Sequence, residues 1–358
     1  MLRLSYTLAL CCGSLLFAAQ IALAPAALRA LGTPADTAAA AMSYITVRRM
    51  FLPLVFVTST SMSALLALRD PLTPLRWTVA SAVTNIVGDF LLCVVFPLGI
   101  AGAAWATLGS QVVMLCGLLS SLHQRRLLPS LWPLPSAALL APFASFAGPV
   151  SVLALIRVAG FTALAAFANG LADSSALAAH QISVSVLVLL SICGDPLNAA
   201  GQTRLPRLYP GGAAPDASAA AALVGTLVRA ALAVGATSCL LGSGALLIGG
   251  RFLAADASVY AQLVRIIVPY CACLALTATT IVLDGALVAR RDFGYLLPTQ
   301  AAALGVLVAC LSLLKTNFPE LGLPSIWMAY FAYLVWRLLL YSARLRFYVL
   351  REDAPQTA

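Results

Sequence analysis

Asn85 to Thr107 reads NIVGDFLLCVVFPLGIAGAAWAT, and the fold turns on how this stretch is read. Most of it is apolar enough to lie in a bilayer, yet it carries an amide, Asn85, and a carboxyl, Asp89, four residues apart. On a helix that spacing stacks the two side chains on one face. Pro97-Leu98-Gly99 reads as a turn, and small residues, Ala101 to Ala104, lead on to Thr107. At about 1.5 Å per residue, Asp89 before the turn and Thr107 after it lie roughly 12–15 Å from the same membrane face. Two antiparallel helices then bring carboxyl, amide and hydroxyl oxygens to one depth. Such a nest suits a proton or a small hard cation such as sodium.

The rest of the chain agrees with a bilayer as its solvent. Of 358 residues 62% are hydrophobic and 9% charged, and the mean hydropathy is +0.98. Water-soluble domains show far more polarity, and helices satisfy their own backbone in lipid, so the composition predicts an all-α polytopic membrane protein. The net charge of +9 is scattered at the ends of apolar runs rather than gathered in a patch, which argues for membrane topology and against nucleic acid. Nine cysteines lie in or beside apolar runs without a CxxC pair; Cys271 and Cys273 form only a CxC, and all are read as small hydrophobes. HExxH, P-loop and GxSxG patterns are lacking, so no enzyme, catalytic residue, cofactor or fixed metal is expected. The first 24 residues also fit a signal peptide, but the apolar run continues to about Ala30, as a span requires.

Apolar length and flanking charge predict ten spans, at 5–30, 40–67, 76–97, 100–122, 142–170, 176–200, 221–249, 262–288, 295–315 and 323–343. They group into a four-helix lobe (1–122), a linker (123–140), a six-helix lobe (141–345) and a polar, fraying tail (346–358). With the N terminus inside, twelve Lys and Arg fall on the inner side against six outside, which places both termini on the cytosolic or equivalent face. A weak repeat pairs Arg49-Met-Phe-Leu-Pro53 with Arg265-Ile-Ile-Val-Pro269, Arg69-Asp70 with Arg290-Arg291-Asp292, and Leu98–Trp105 with Leu321–Trp327. Two such halves are a common transporter plan. Counting along the repeat, the first half lacks the counterparts of two spans of the second.

ITVRRMFLP (Ile45–Pro53), LALRDPLTPL (Leu66–Leu75), NIVGD (Asn85–Asp89) and GIAGAAWAT (Gly99–Thr107) resemble the first lobe of multidrug and toxin extrusion (MATE) transporters. ALAAHQISVSV (Ala176–Val186) and VLDGALVARRDFGY (Val282–Tyr295) resemble the second lobe, in its DinF-like branch, which includes plant and algal plastid members. The resemblance implies a two-lobed bundle, here with the family's first two helices absent. It also implies export of small organic compounds against proton or sodium entry, by alternating access, from a monomer in a plastid envelope or in a plasma or vacuolar membrane. In the branch an Asn, an Asp four residues on and a Thr eighteen further form the first-lobe cation site, matching Asn85, Asp89 and Thr107. That site also uses an acidic residue on the first helix, which has no match here. A lipid-linked or polysaccharide flippase, and a non-transporting membrane subunit, are the alternatives.

Among the other polar residues, Asp89, Asp195 and Asp284 lie within spans, where an ionised carboxylate costs at least about 2.5–3.5 kcal/mol. Such a residue faces a cavity or carries a proton. For Asp89 the alternative is a helix–helix hydrogen bond with Asn85. Asp195, before Pro196, suits a structural or gating role. Asp284 matches a recurrent acid of the branch. Arg157, deep in its span, needs a partner: Asp284, a carbonyl, or an anionic substrate. His180 and Gln181 match the branch's AAHQ motif, and a lone His is more often a packing hydrogen-bonder than a ligand. Arg157, His180, Gln181 and Asp284 are thus the expected polar residues of a second-lobe cavity.

Overall fold

The computed structural model describes residues 2–30, 35–128, 140–171, 173–208, 217–253 and 256–352. The chain divides into two compact units, Met1–Pro142 and Phe143–Ala358. Most of the predicted linker at 123–140 lies outside the described residues. Nine helices among the described residues are long and apolar enough to cross a membrane, and a bent pair makes a tenth span.

The first unit holds α1 (Leu2–Ala30), α2 (Ala35–Arg49), α3 (Leu52–Ala67), α4 (Leu72–Asp89) and α5 (Gly99–Gln124). The predicted span at 40–67 is not one helix. It breaks between α2 and α3 with a bend of 51°. Pro53, in the first turn of α3, has no N–H for the ladder, and Met50 and Phe51 bond back only three residues, to Val47 and Arg48. The start of α3 presses on α1, where a Cβ at Gly13 would lie 2.5 Å from the Leu52 carbonyl oxygen. Tyr6 and Ser61 share a buried 2.6 Å hydrogen bond across the same pair, and Arg48 donates to Gln111 of α5 at 2.8 Å. α4 leaves Val79, Val83 and Ile86 exposed, a surface that suits lipid and not water.

The second unit holds α6 (Leu140–Asn169), α7 (Ser174–Ser191), α8 (Asp195–Arg204), α9 (Ala217–Gly244), α10 (Gly250–Leu253), α11 (Ala257–Ala289), α12 (Phe293–Asn317) and α13 (Leu323–Glu352). Its axis is α11, which packs on α7, α8, α9 and α13 and buries Tyr270, Cys273 and Leu274 against Trp327. The span predicted at 176–200 extends to Leu208 through α8, and that predicted at 221–249 runs on to Phe252. The tail expected to fray from 346 begins as helix, since α13 continues to Glu352; residues 353–358 lie outside those described.

The repeat is real but its register differs from the one read from the prolines. The pair α2–α3 runs from Ala35 to Ala67 and α11 from Ala257 to Ala289, an offset of 222 at both ends. Arg69 and Arg291 both take a left-handed backbone, with φ of 60° and 57°, and each precedes the acid that ends the turn. Asp70 pairs with Arg125 at the end of α5, and Asp292 accepts from Arg344 of α13 at 2.9 Å. The Thr73 hydroxyl and N–H, with Arg125 beside them, hold the Asp70 carboxyl down to about 2. Gly99 and Gly322 open α5 and the turn before α13 with φ of 58° and 57°. In this register Pro53 matches Ala275 and Pro269 matches Val47, so the two prolines are not equivalent.

Candidate functional site

The first unit's candidate residues sit on the α4–α5 hairpin. Asn85 and Asp89 lie one turn apart at the end of α4, and Thr107 lies in the third turn of α5. The helices touch beside them: a Cβ on Gly88 would stand 3.0 Å from the Ala106 Cβ and 3.2 Å from its Cα. Glycine allows this approach without the neighbouring alanine having to shift. The same antiparallel register continues away from the turn, where Trp77 packs over Gly117 and the Ser81 hydroxyl donates to the Ser110 carbonyl at 2.8 Å. Asp89 and Thr107 therefore flank one contact.

Two atoms there are conspicuous. Asn85 Nδ2 and Asp89 Oδ1 are buried and have no hydrogen-bond partner among the described residues. Leaving such an atom unsatisfied costs about 1–3 kcal/mol, so the place favours a ligand that can satisfy it. The Thr107 hydroxyl donates to the Ala103 carbonyl at 2.9 Å, which leaves its oxygen able to accept or coordinate. Directly after Asp89 the helix widens into a π-helical turn, Phe90–Val95, closed by Phe96 N–H on the Leu91 carbonyl at 2.8 Å. Such turns recur at functional sites, and the apolar sequence of this one gave no sign of it.

The second unit gathers its charges around Asp284, which is buried on α11. Arg157 of α6 donates to its Oδ2 at 3.3 Å, Arg337 of α13 lies 3.7 Å from the same oxygen, and Gln300 of α12 donates to Oδ1 at 3.4 Å. Arg337 is itself held by hydrogen bonds to Tyr333 at 3.3 Å and Tyr341 at 3.4 Å, one turn to either side, and stacks over both rings. Both arginines face a cavity of about 150 Å³, which Asp195, Asn198, Phe161 and Tyr330 also line.

The structure thus brings Arg157 and Asp284 together and adds two residues to which the sequence assigned no role, Arg337 and Gln300. An arginine in an apolar span with tyrosines four residues before and after it was the available signal. Asp195 is at the cavity, at the start of α8. His180 and Gln181 are elsewhere. His180 is buried against Trp327, ring centroids 5.7 Å apart, and its Nδ1 has no partner among the described residues. Gln181 is exposed and does not line the cavity.

No protein-family model matches the chain. It is 27% identical over 310 residues to "Protein DETOXIFICATION 47, chloroplastic" of Arabidopsis thaliana, covering 86% of this chain and 56% of the relative. It is 28% identical over 291 residues to "Protein DETOXIFICATION 42" of the same plant, covering 78% and 53%. The chain thus spans about half the length of these curated relatives. Among solved structures, an outward-facing multidrug resistance MATE family transporter of the MOP superfamily superposes with a TM-score of 0.82 at 17% identity, covering 98% of this chain and 79% of the other. An inward-facing form gives 0.76 at 15% identity, covering 98% and 81%. In fold this chain of membrane-spanning length and hydropathy resembles the MATE transporters, and in sequence it resembles the plant DETOXIFICATION proteins.

Proposed function

We propose that the chain is a cation- or proton-coupled antiporter that exports small organic compounds by alternating access of its two helical units. The observation that carries this reading is the pair of buried, unpartnered polar atoms at Asn85 and Asp89, set where two helices meet in a MATE-type hairpin. A proton or a sodium ion satisfies Asp89 Oδ1, with the Thr107 hydroxyl and Asn85 Oδ1 as further oxygen ligands, and a water beside it accepts from the Asn85 Nδ2 donor. Binding there favours one state of the protein and substrate favours the other, which is all that coupling requires. The existence of relatives solved facing inward and outward supports a two-state cycle.

The cavity of the second unit is the place for the organic compound. Its aromatic and aliphatic walls suit an apolar body, and Arg157 and Asp195 offer charge of either sign at the rim. The chloroplastic relative supports a plastid envelope as the membrane.

Reconstitution tests the function. Liposomes carrying the purified chain are given a fluorescent organic dye and a proton or sodium gradient of either direction. The dye is expected to accumulate against its own gradient and to leak back when an ionophore collapses the ion gradient. Dye movement unaffected by any ion gradient would contradict the reading.

A further inference from the structure

α9 and α11 run antiparallel in one continuous register. Leu227, Ala231, Ala278 and Val282 form a buried cluster between them. Next along the seam the backbones come so close that a Cβ on Gly235 would stand 2.3 Å from the Ala275 carbonyl oxygen. One turn further on, in opposite chain directions, stand Cys239 and Cys271. The register sets them on facing sides of the seam, four residues from Gly235 and Ala275 respectively, and both are half-buried rather than enclosed. The neighbouring Cys273 is committed elsewhere: its thiol donates to the Trp327 carbonyl at 3.4 Å in the core.

A disulfide needs Cα atoms about 4.4–6.8 Å apart and side chains turned towards each other. Ordinary helix packing, with axes about 8–10 Å apart, seldom allows it. The glycine contact one turn away draws these two helices closer, and the register sets the thiols opposite one another. From this geometry we propose that Cys239 and Cys271 are a redox-modification site, an oxidisable thiol pair whose disulfide staples α9 to α11.

The chemistry balances with a membrane-permeant peroxide as oxidant. The peroxide oxidises one thiol to a sulfenic acid and leaves as one water. The second thiol attacks that sulfur and displaces its hydroxyl as a second water, forming the S–S bond. A dithiol reductant returns both thiols and is itself left as a disulfide. The staple joins α9 to the helix that carries Thr277, Thr280 and Ile281 to the cavity wall and holds Asp284 behind it, so oxidation fixes one wall of that cavity.

The test uses the full chain in detergent. It is treated with hydrogen peroxide, its remaining thiols are alkylated, and its peptides are mapped by mass spectrometry. The expected result is a Cys239–Cys271 linked peptide as the dominant disulfide, two hydrogens lighter than its parts and lost on adding dithiothreitol. Oxidation should also raise the melting temperature of the wild type and leave that of Cys239→Ser unchanged. The proposal is overturned if both cysteines remain alkylatable while Cys11 and Cys12 are oxidised, or if they end as separate sulfinic acids with no linked peptide. The mapping is made on the wild-type chain, so it stands whether or not the serine variant folds.

Discussion

The two arginines around Asp284 are not equivalent. The Arg337 side chain is 7% exposed and locked by two tyrosines, whereas that of Arg157 is 42% exposed and makes one 3.3 Å contact. Removing one partner of a buried ion pair leaves a buried charge behind and costs about 3–5 kcal/mol. Arg337→Leu loses the deeper cation and its two tyrosine bonds but leaves Arg157 and Gln300 on the carboxyl, so it is expected to cost up to about that amount, and more than Arg157→Gln, in thermal or denaturant unfolding. Arg157→Gln leaves Arg337 and Gln300 on the carboxyl, and a half-exposed pair is worth below about 1 kcal/mol. Equal losses for the two variants would refute the distinction. Asp284 was one of three partners the sequence offered Arg157, beside a carbonyl and an anionic substrate, because a guanidinium deep in an apolar run needs a partner. The share of Arg337 was not legible there, since it depends on α13 turning that face towards α11, a matter of packing.

At the scale of elements, the α4–α5 hairpin is defined by where side chains are missing. Gly117 lies under the Trp77 ring, and a Cβ there would sit 2.0 Å from a ring carbon. Gly117→Leu must displace Trp77 and break its 3.1 Å hydrogen bond to Ser121, an overpacking cost of about 1–3 kcal/mol. Gly109, on the same helix, meets nothing within 4 Å, so Gly109→Ala is expected to raise stability by less than about 1 kcal/mol. A melting-temperature comparison of the two variants checks the register; a harmless Gly117→Leu would contradict it. The hairpin itself could be read from its apolar lengths, the Pro97-Leu98-Gly99 turn and the small residues after it. Pro53 gave reason to expect a kink in its span, but not a break of 51°, because a proline signals only that a ladder bond is lost. Pro269 loses one too, yet α11 stays continuous inside the core of its unit.

At the scale of the whole molecule, the offset of 222 residues relates the shape of the two units but not their chemistry. Asp284 falls opposite Met62, and Asp89 falls opposite Leu311. Each unit thus has an acid within a span, buried at Asp284 and half-buried at Asp89, where the other has an aliphatic or thioether side chain. The turn acids Asp70 and Asp292, by contrast, keep the same role in both. A repeat was visible in the sequence at these turns because a left-handed Arg followed by Asp is a local device. The true register was obscured by prolines, which recur in helices for unrelated reasons. The asymmetry of the two acids assigns them different work: Asp284 is clamped by cations, whereas Asp89 has a bare oxygen. On the proposed reading, coupling to an ion is the work of Asp89 in the first unit. The measurement that tests this most directly is gradient-driven export by Asp89→Asn in liposomes, with wild type reconstituted at equal protein. The account predicts that export by the variant falls to the level of protein-free liposomes while the variant remains folded. Undiminished gradient-driven export by Asp89→Asn would contradict it.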